Sequence, residues 1–479
     1  MDDLRPLVLD VDGTFLRTDM LYECFWAGLG QAPVATLKAT FGNFTRPARL
    51  KEELARIADL RTDLMPVNPA VADAAMEALQ QGREVTLASA SNEALVADLA
   101  QDYGLSQRIF ASSGEFNLKG ATKAQVLVDT YGAGGFDYAG NAPVDMAIWK
   151  QAHTALVVGD SKAARKLMRE SKLVRTFPGG WKARDLLRAM RPHQWVKNVL
   201  LFTPMVAAHD FTVSNLLLVL MGIVAFSAAA SSIYIVNDLL DLEADRLHAT
   251  KRNRPFASGA VPISAGMAVA VGLAGTALAT GLWLGWAFFG TIVLYMILSL
   301  AYSLRLKRLR WVDIATLAGL YTLRVVAGAA AMQGEVSTYL LVFIYPVFLT
   351  LGCVKRMTEL SLAQHDDRLP GRGYGRGDIS DLLNVAYLGM FGAVMNFFLY
   401  TFSEQAVRLY ETRWLLWFSL IPIALWLRRM IKLGYRGEMD YDPVVFAMRD
   451  RRGIALLIIS LAIMFAAAGL WQDWYALWR

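Results

Sequence analysis

Apolar positions are unevenly distributed along the chain. In the first 180 residues, short apolar runs such as 7–9 and 85–88 alternate with stretches in which apolar residues recur at helical spacing. Beyond residue 198, long apolar stretches are separated by short charged loops. An apolar helix of about 20 residues is long enough to cross a bilayer. The pattern therefore predicts a multidomain chain, with an α/β domain first and an all-α polytopic membrane bundle after it.

Three parts follow from this pattern. We predict an α/β domain over 1–175, a linker with an amphipathic interfacial helix over 176–198, and a membrane domain over 199–479. The interfacial helix is predicted from the basic residues and two tryptophans of 181–198, which suit a membrane surface. We predict about nine transmembrane helices, centred near residues 203, 225, 273, 294, 322, 345, 392, 420 and 462.

The charge distribution also indicates a membrane protein. The net charge is +6 over 479 residues, but Lys and Arg lie mostly in loops between apolar stretches. Such loops face the cytoplasm, so we expect a multi-pass protein of the inner (plasma) membrane, with its N-terminal domain and active sites cytoplasmic and no nucleic-acid partner. The two distant cysteines, Cys24 and Cys353, indicate neither a disulfide framework nor a zinc site. No signal peptide is expected.

Acidic residues gather where the apolar run 216–236 ends. The motif consists of Asn237, Asp238, Asp241 and Asp245. The spacing of its acids, i, i+3 and i+7, puts three carboxylates on one face of a continuous helix. They repel one another unless a cation lies among them, and oxygen ligands with a phosphate favour Mg²⁺. Basic residues that follow are candidates for the far side of a diphosphate: Lys251, Arg252 and Arg254. The alternative is a solvated helix end with a polybasic flank.

Two further acids follow the first strand pattern. Asp10 and Asp12 lie in the sequence Asp-Val-Asp-Gly-Thr. Carboxylates two residues apart can converge on one phosphate, where one attacks phosphorus and the other carries the leaving-group proton. This pattern resembles the first motif of the haloacid dehalogenase superfamily of aspartate-nucleophile phosphatases. The resemblance implies a Rossmann-like parallel sheet with a small helical cap, here within residues 20–80.

The later motifs of that superfamily are matched in order. The matching residues are Ser89 for the phosphate-binding hydroxyl, Lys123 (with Lys119 as the alternative) for the lysine, and Asn141 with Asp145 for the metal-binding acids. Many members carry Asp at the position of Asn141. The resemblance implies Mg²⁺ held by Asp10, Asp12, Asn141 and Asp145. The similar stretch one strand later contains Asp160, which we predict to be a helix cap.

Basic residues within the apolar stretches are a third group of candidates. Arg324 lies inside a predicted span, where a charge is costly and by default functional. Its alternative is a structural ion pair. Lys355 and Arg356 end the next span, where the alternative is an i, i+4 pair between Lys355 and Glu359.

The Asp-rich motif, Arg254–Pro255 and the stretch 302–313 together resemble the UbiA superfamily of intramembrane prenyltransferases over residues 186–475. The resemblance implies Mg²⁺ and a diphosphate at the cytoplasmic mouth of the bundle. Members with aromatic acceptors carry a second acid four residues after the acid of that stretch, where this chain has Leu317. With Arg-Pro-His-Gln-Trp-Val-Lys-Asn at 191–198, the chain is more similar to the polyprenyl-phosphate phosphoribosyltransferase branch.

That branch transfers 5-phosphoribose from phosphoribosyl pyrophosphate to the phosphate of a polyprenyl lipid. The resemblance implies Asp238, Asp241 and Asp245 as catalytic acids that hold Mg²⁺ together with Asp313. It implies substrate contacts for residues with polar or cationic side chains: Lys197, Asn198, Asn237, Arg254, Tyr302, Lys307, Arg324, Lys355 and Arg356.

The two resemblances together predict a bifunctional enzyme. It would transfer phosphoribose to a polyprenyl (decaprenyl-type) phosphate and then remove the 5-phosphate with its N-terminal phosphatase. The expected partners are the lipid phosphate, phosphoribosyl pyrophosphate and the bilayer, and a homo-oligomer is left open. The alternatives are an aromatic (4-hydroxybenzoate-type) prenyltransferase with an accessory or idle N-terminal domain, and a transporter or lipid-binding protein.

Overall fold

The chain forms two compact units. The computed structural model describes residues 5–114, 116–362, 373–439 and 442–471. The first unit takes in Met1–Met190 and Tyr234–Ala270, and the second takes in Arg191–Ile233 and Val271–Arg479. The first unit is therefore discontinuous in sequence, because the Asp-rich motif belongs to it together with the N-terminal residues.

A parallel sheet forms the centre of the first unit. Its six strands are β1 (Leu7–Leu9), β2 (Val85–Asn92), β3 (Phe110–Ser112), β4 (Asp137–Gly140), β5 (Thr154–Val158) and β6 (Leu173–Phe177). They lie in the order β3-β2-β1-β4-β5-β6, with Leu9 of β1 opposite Leu87 on one side and Ala139 on the other. The predicted α/β parallel sheet is confirmed. Since β1 lies between β2 and β4, successive connections leave it in opposite directions and open a crevice at its carboxyl end.

Helices connect these strands. They are α1 (Met20–Gln31), α2 (Pro33–Gly42), α3 (Pro47–Ile57), α4 (Pro69–Gln80), α5 (Glu93–Asp102), α6 (Ala121–Tyr131), α7 (Met146–Gln151) and α8 (Ser161–Arg169). Four of the eight lie between β1 and β2, where the helical cap is predicted. Pro47 and Pro69 are the first residues of their helices, because proline has no N–H to lose at that position.

The linker differs from its prediction. Instead of one interfacial helix over 181–198, the structure has a short helix α9 (Ala183–Ala189) and a 3₁₀ stretch Pro192–Phe202. Arg191 separates them with a φ of 54°. Residues before a proline are disfavoured in the α-helical region, so Pro192 ends the helix that the amphipathic pattern predicts.

The remaining helices follow the 3₁₀ stretch. They are α10 (Thr203–Ala207), α11 (Val213–Leu240), α12 (Leu242–Leu247), α13 (Ile263–Leu284), α14 (Trp286–Leu304), α15 (Val312–Ala331), α16 (Thr338–Leu362), α17 (Ile379–Tyr400), α18 (Glu404–Leu409), α19 (Leu415–Tyr435), α20 (Pro443–Ala447) and α21 (Arg451–Ala467). The prediction of a C-terminal bundle with several apolar helices is confirmed.

The predicted count of nine transmembrane helices is not reached. Among the described residues, six helices are long and apolar enough to cross a membrane: Val213–Leu240, Ile263–Leu284, Trp286–Leu304, Val312–Ala331, Thr338–Leu362 and Arg376–Tyr400. The span predicted near residue 203 is wrong, because that stretch is a 3₁₀ segment followed by the five-residue α10. The spans predicted near 420 and 462 correspond to α19 and α21, which fall outside the six.

Helix α15 is the most enclosed of the six. Most of its side chains are buried, and its backbone lies against the 3₁₀ stretch. A Cβ atom on Gly328 would stand 2.0 Å from the carbonyl oxygen of Leu201. Only glycine permits this approach, which brings Asn198 next to the polar residues of α15.

Candidate functional site

Two acids follow β1 into the crevice at the carboxyl end of the sheet. The Asp10 carboxylate accepts a hydrogen bond from the Lys123 ammonium at 2.7 Å and one from the Thr14 hydroxyl at 3.3 Å. Asp10 and Lys123 are 8 % and 4 % exposed. The lysine thus puts a cation directly beside this carboxylate in an enclosed site. The structure thus places Lys123, the preferred lysine of the sequence analysis, at the predicted nucleophile.

Lys123 also connects Asp10 to the acid that follows β4. Its ammonium donates to the Tyr138 hydroxyl at 3.2 Å, and that hydroxyl donates to the Asp145 carboxylate at 3.1 Å. The other Asp145 oxygen accepts the backbone N–H groups of Asn141 and Ala142. Burial, with the charge of Asp10, raises the pKa of Asp145 to about 6. Tyr138 was missed by sequence reasoning, because a tyrosine in a buried strand reads as core.

Asp12 faces the hydroxyls at the end of β2. One of its oxygens accepts from Ser91 at 2.7 Å and from Ser89 at 3.3 Å, and the other accepts the N–H of Met20 at 2.9 Å. Burial, with the nearby charge of Asp10, raises the pKa of Asp12. A carboxyl with a raised pKa can carry a proton to a leaving group. Ser89, predicted to bind phosphate, here also accepts the N–H of Ser91 at 2.9 Å.

Two further charged groups lie close to Asp12. Asp19 caps α1 by accepting the N–H of Leu21 at 2.9 Å, and burial with the charge of Asp12 raises the pKa of Asp19 to about 7. Lys51, from α3, donates to the carbonyl oxygen of Ala90 at 2.6 Å, and burial lowers its pKa. Sequence reasoning selected neither Asp19 nor Lys51, because no local sequence pattern shows that these two side chains lie near Asp12.

Asn141 lies directly against the turn of the first motif. Gly13 has a φ of 75°, and a Cβ atom there would stand 2.2 Å from Asn141 Nδ2. A side chain at position 13 would therefore displace the Asn141 amide as well as strain the turn. Asp160, by contrast, caps α8 by accepting the N–H groups of Lys162 and Ala163 at 3.0 Å. Its predicted role as a helix cap is confirmed.

The Asp-rich motif departs from the single continuous helix predicted for it. Helix α11 ends at Leu240, Asp241 has φ −101° and ψ 16°, and α12 begins at Leu242. Asp238 and Asp245 nevertheless converge, because Arg254 Nη1 donates to Asp238 Oδ1 at 3.1 Å and to Asp245 Oδ2 at 2.7 Å. Both acids are 2 % exposed. Arg254, predicted on the far side of a diphosphate, instead lies between two of the carboxylates.

These side chains have the donor chemistry of a magnesium site. Burial raises the pKa of Asp245, and Arg254 opposes that rise. The amide oxygen of Asn237 is buried without a hydrogen-bond partner among the described residues. Among these residues no three His, Cys, Asp or Glu side chains are already arranged around a cation position. Carboxylate and amide oxygens are ligands that Mg²⁺ takes together with phosphate and water, so the residues fit that ion.

In the second unit, Asp313 and Arg356 form a buried ion pair. Arg356 Nε donates to Asp313 Oδ2 at 2.5 Å and Nη2 donates to Asp313 Oδ1 at 2.9 Å, and both side chains are fully enclosed. Tyr302 donates to Asp313 at 3.0 Å, and Glu359 pairs with Arg356. The Glu359 partner is therefore Arg356 rather than Lys355. Asp313, predicted as a metal ligand, is neutralised here by a guanidinium.

We expect Arg356→Met to destabilise the protein by roughly 3–5 kcal/mol, because it removes the guanidinium that neutralises the buried Asp313 charge. The double variant Arg356→Met, Asp313→Leu should recover most of this loss. Arg408→Met, in an exposed pair with Glu404, is the matched control and should change stability by less than about 0.5 kcal/mol. Thermal unfolding of the purified protein in detergent measures all three. A double variant as unstable as Arg356→Met would contradict the interpretation.

Arg324 is enclosed, and no carboxylate among the described residues pairs with it. Its nitrogens donate to Asn198 Oδ1 at 3.1 Å, to the Leu320 carbonyl at 2.7 Å and to the Tyr295 hydroxyl at 3.3 Å. The guanidinium lies 5.1–5.4 Å from three ring centres, those of Phe226, Tyr295 and Tyr321. Such cation–π contacts partly replace the water that the charge has lost. The ion-pair alternative is not what the structure shows, and Asn198 holds Arg324 while donating to Ser227 at 2.8 Å.

Lys197 faces the same Tyr321 ring as Arg324, but it pairs with a carboxylate. It pairs with Asp442 and lies 5.7 Å from the Tyr321 ring centre. Burial would raise the pKa of Asp442, but Lys197 and Lys355 outweigh burial and lower it. Lys307, the last of the predicted cations, lies in a 3₁₀ turn, Leu306–Arg308. Asp442 was missed because it is 245 residues from Lys197, and only the fold brings the two together.

Comparison with known proteins identifies the C-terminal region. Residues 199–449 match the model of the UbiA prenyltransferase family. The chain belongs to the UbiA prenyltransferase family. The resemblance predicted for this region is thereby confirmed, and the several apolar helices accord with a multi-pass membrane protein.

Some relatives align with only part of this chain, and another aligns with nearly all of it. A decaprenyl-phosphate phosphoribosyltransferase of Mycobacterium tuberculosis (strain H37Rv) is 34 % identical over 58 % of this chain and 91 % of its own length. An uncharacterized protein, y4nM, of Sinorhizobium fredii is 33 % identical over 97 % of this chain and 91 % of its own length. The phosphoribosyltransferase is therefore a homologue of about half of the chain, whereas the second relative also aligns with the N-terminal domain.

Among solved structures, a UbiA homolog from Archaeoglobus fulgidus bound to DMAPP and Mg²⁺ aligns with 60 % of this chain and 99 % of its own, at 16 % identity and a TM-score of 0.43. The haloacid dehalogenase resemblance of residues 5–175 has no counterpart among these matches and stays a prediction.

Proposed function

We propose that the protein transfers 5-phosphoribose from phosphoribosyl pyrophosphate to a polyprenyl (decaprenyl-type) phosphate, and then removes the 5-phosphate to give polyprenyl-phosphoryl ribose. The observation that carries the first step is the convergence of Asp238 and Asp245 on one cation, Arg254. Carboxylates that converge in this way can bind Mg²⁺, and Mg²⁺ in turn binds the oxygens of a diphosphate. The naming of the relatives as decaprenyl-phosphate phosphoribosyltransferases supports the choice of sugar donor and lipid acceptor.

In the transfer step, the bond from ribose C1 to the pyrophosphate oxygen breaks, and a bond from C1 to a lipid phosphate oxygen forms. Mg²⁺ on Asp238, Asp241 and Asp245 would supply neutralisation of the leaving pyrophosphate. Arg254 keeps the two buried acids at one place, and its guanidinium can turn from them to phosphate oxygens when the substrate enters. The positive charge that develops at C1 resembles that of other glycosyl transfers. Lys197 and Lys355, the cations that lower the pKa of Asp442, remain candidates for binding a phosphate group.

In the second step, Asp10 attacks the phosphorus of the ribose 5-phosphate and the 5-oxygen leaves with a proton from Asp12. Water then hydrolyses the aspartyl phosphate and releases inorganic phosphate. Lys123 holds Asp10 at 2.7 Å, and burial raises the pKa of Asp12, which suits Asp12 to carry a proton. Lys123, Ser89 and Ser91 supply donors around the transferred phosphoryl group. Removal of the 5-phosphate makes the overall conversion irreversible.

We place the N-terminal domain and both sites on the cytoplasmic side of the inner membrane, because the loops rich in Lys and Arg follow the positive-inside rule. Phosphoribosyl pyrophosphate is a charged, water-soluble donor, so access from an aqueous compartment is required on that side.

The test uses the purified full-length protein in detergent with Mg²⁺, decaprenyl phosphate and phosphoribosyl pyrophosphate labelled in the ribose. We expect label to move into the lipid fraction, with pyrophosphate released in equal amount, and EDTA to stop both. If no label moves but prenyl diphosphate is consumed with an aromatic acceptor, the protein is an aromatic prenyltransferase. If label moves and the lipid keeps its 5-phosphate, the transferase half holds and the phosphatase half fails.

A further inference from the structure

A buried ion pair connects the N-terminal domain to the Asp-rich segment. Arg246, the residue after Asp245, donates from Nη2 to Glu23 Oε1 at 2.6 Å and from Nη1 to Glu23 Oε2 at 3.1 Å. Glu23 is 2 % exposed, and its partner's side chain is 7 % exposed. Both residues belong to the first compact unit, although 223 positions separate them. This two-pronged geometry fixes the orientation of the guanidinium as well as its position.

Both members of the pair are held by further bonds. Thr18 donates its hydroxyl to Glu23 Oε1 at 2.6 Å, and Arg246 Nε donates to the carbonyl oxygen of Ala257 at 3.2 Å. The pair therefore fastens α12 to α1 at one point and to the chain beyond Arg254 at another. A buried pair of this kind contributes little net stability compared with apolar residues of the same size. What it does provide is a defined position for the residue beside it, Asp245.

A second close contact fastens the other side of the same segment. Gly259 has a φ of 66°, and a Cβ atom there would stand 2.6 Å from the Cβ of Arg17 and 3.0 Å from Pro66. The Asp-rich segment is thus held against the N-terminal domain both before Arg254, by Arg246, and after it, by Gly259. Arg254, on which the acids converge, lies between these two points in the sequence, and Asp245 directly precedes the first of them.

Helix α1, which carries the N-terminal anchor of this contact, begins beside the predicted phosphatase crevice. Glu23 lies in its first turn, and the N–H of its first residue, Met20, donates to Asp12. Glu23 itself contacts Thr18 and Arg246, so the ion pair lies one turn along the helix from the crevice acid.

We propose that Glu23 and Arg246 are positioning residues for the Asp-rich segment, so that the N-terminal domain is a structural part of the diphosphate-binding site as well as a phosphatase. The kinetic form of this proposal rests on the proposed transferase function.

The test compares Glu23→Gln, Arg246→Gln and the double variant in the full-length protein. We expect each single change to raise the KM for phosphoribosyl pyrophosphate about 10-fold with a smaller change in kcat. The double variant should be no worse than either single one, because the two residues act as a unit. Hydrolysis of p-nitrophenyl phosphate should stay within about 2-fold of the wild type. Glu77→Gln, in an exposed pair with Arg175, is the matched control and should change nothing.

A second measurement does not depend on turnover. Hydrogen exchange of the backbone amides in 238–258 should become faster in Glu23→Gln, while exchange in β1 and β4 stays as in the wild type. Unchanged exchange in a folded Glu23→Gln protein overturns the proposal, as does an unchanged KM or a double variant whose effects simply add. If the wild type transfers no ribose at all, the proposed function fails, and the exchange experiment alone then decides whether the pair positions the segment.

Discussion

Asp10→Asn should reduce the release of inorganic phosphate by at least about 10⁴-fold, the size of loss expected when a nucleophile is removed. The change keeps the shape of the side chain but replaces the oxygen that attacks phosphorus with an amide that cannot. Lys123 can still donate to the remaining carbonyl oxygen, so we expect the protein to fold. Ribosyl transfer should be unaffected, and the lipid should accumulate as the ribose 5-phosphate.

The measurement follows phosphate release from p-nitrophenyl phosphate and from the lipid product, with the lipid analysed by mass spectrometry. Asp160→Asn is the matched control, since Asp160 only caps α8, and should keep at least about half of the activity. Phosphate release by Asp10→Asn at a rate near that of the wild type would contradict the phosphatase assignment. Loss of ribosyl transfer in the same variant would contradict the separation of the two reactions.

Asp241→Ala should lower ribosyl transfer by roughly 10²–10³-fold, as happens when one electrostatic stabiliser of a transition state is lost. Asp241 lies at the break between α11 and α12, outside both helices. Thermal unfolding of the variant in detergent separates a loss of activity from a loss of fold. Glu243→Ala, an exposed acid of the same segment, should stay within about 2-fold of the wild type.

Transfer of ribose label into decaprenyl phosphate measures the effect of Asp241→Ala, together with the Mg²⁺ concentration at half-maximal rate. We expect that concentration to rise, because one of three carboxylates has been removed. An unchanged Mg²⁺ dependence with normal activity would show that Asp241 does not contact the metal and that the motif is a solvated helix end. Phosphatase activity should be the same in Asp241→Ala and in the wild type.

The sequence predicts most of the first unit's architecture, because its signals are local. The short apolar strands, the helices within residues 20–80 and the Asp160 cap each depend on a few neighbouring residues, and the structure has them. Asp10 and Lys123 could be brought together only through a motif, since they are 113 residues apart. Tyr138 and Asp442 carry no such motif, and their partners are set by the fold alone.

The errors in the membrane domain have equally physical causes. Hydropathy near residue 203 looks like a short span, but Pro192 and Pro204 flank the apolar residues and leave a 3₁₀ segment. The continuous helix expected through Asp241 is broken, because the acids turn toward Arg254 instead of sharing a single helical face. The sequence pattern predicts which side chains share a face if the helix is continuous. It does not predict that Arg254 binds Asp238 and Asp245 across a break at Asp241.

The discontinuity of the first unit has a consequence for biosynthesis. Residues up to Met190 leave the ribosome well before Tyr234–Ala270, roughly 4–16 s earlier at about 5–20 residues per second. During that interval Glu23 waits without Arg246, while α11 must enter the membrane before the missing segment can return. The N-terminal unit can thus be completed only after membrane insertion. In a chain that inserts incorrectly, Glu23 lacks Arg246, and chaperones and proteases can recognise the incomplete unit.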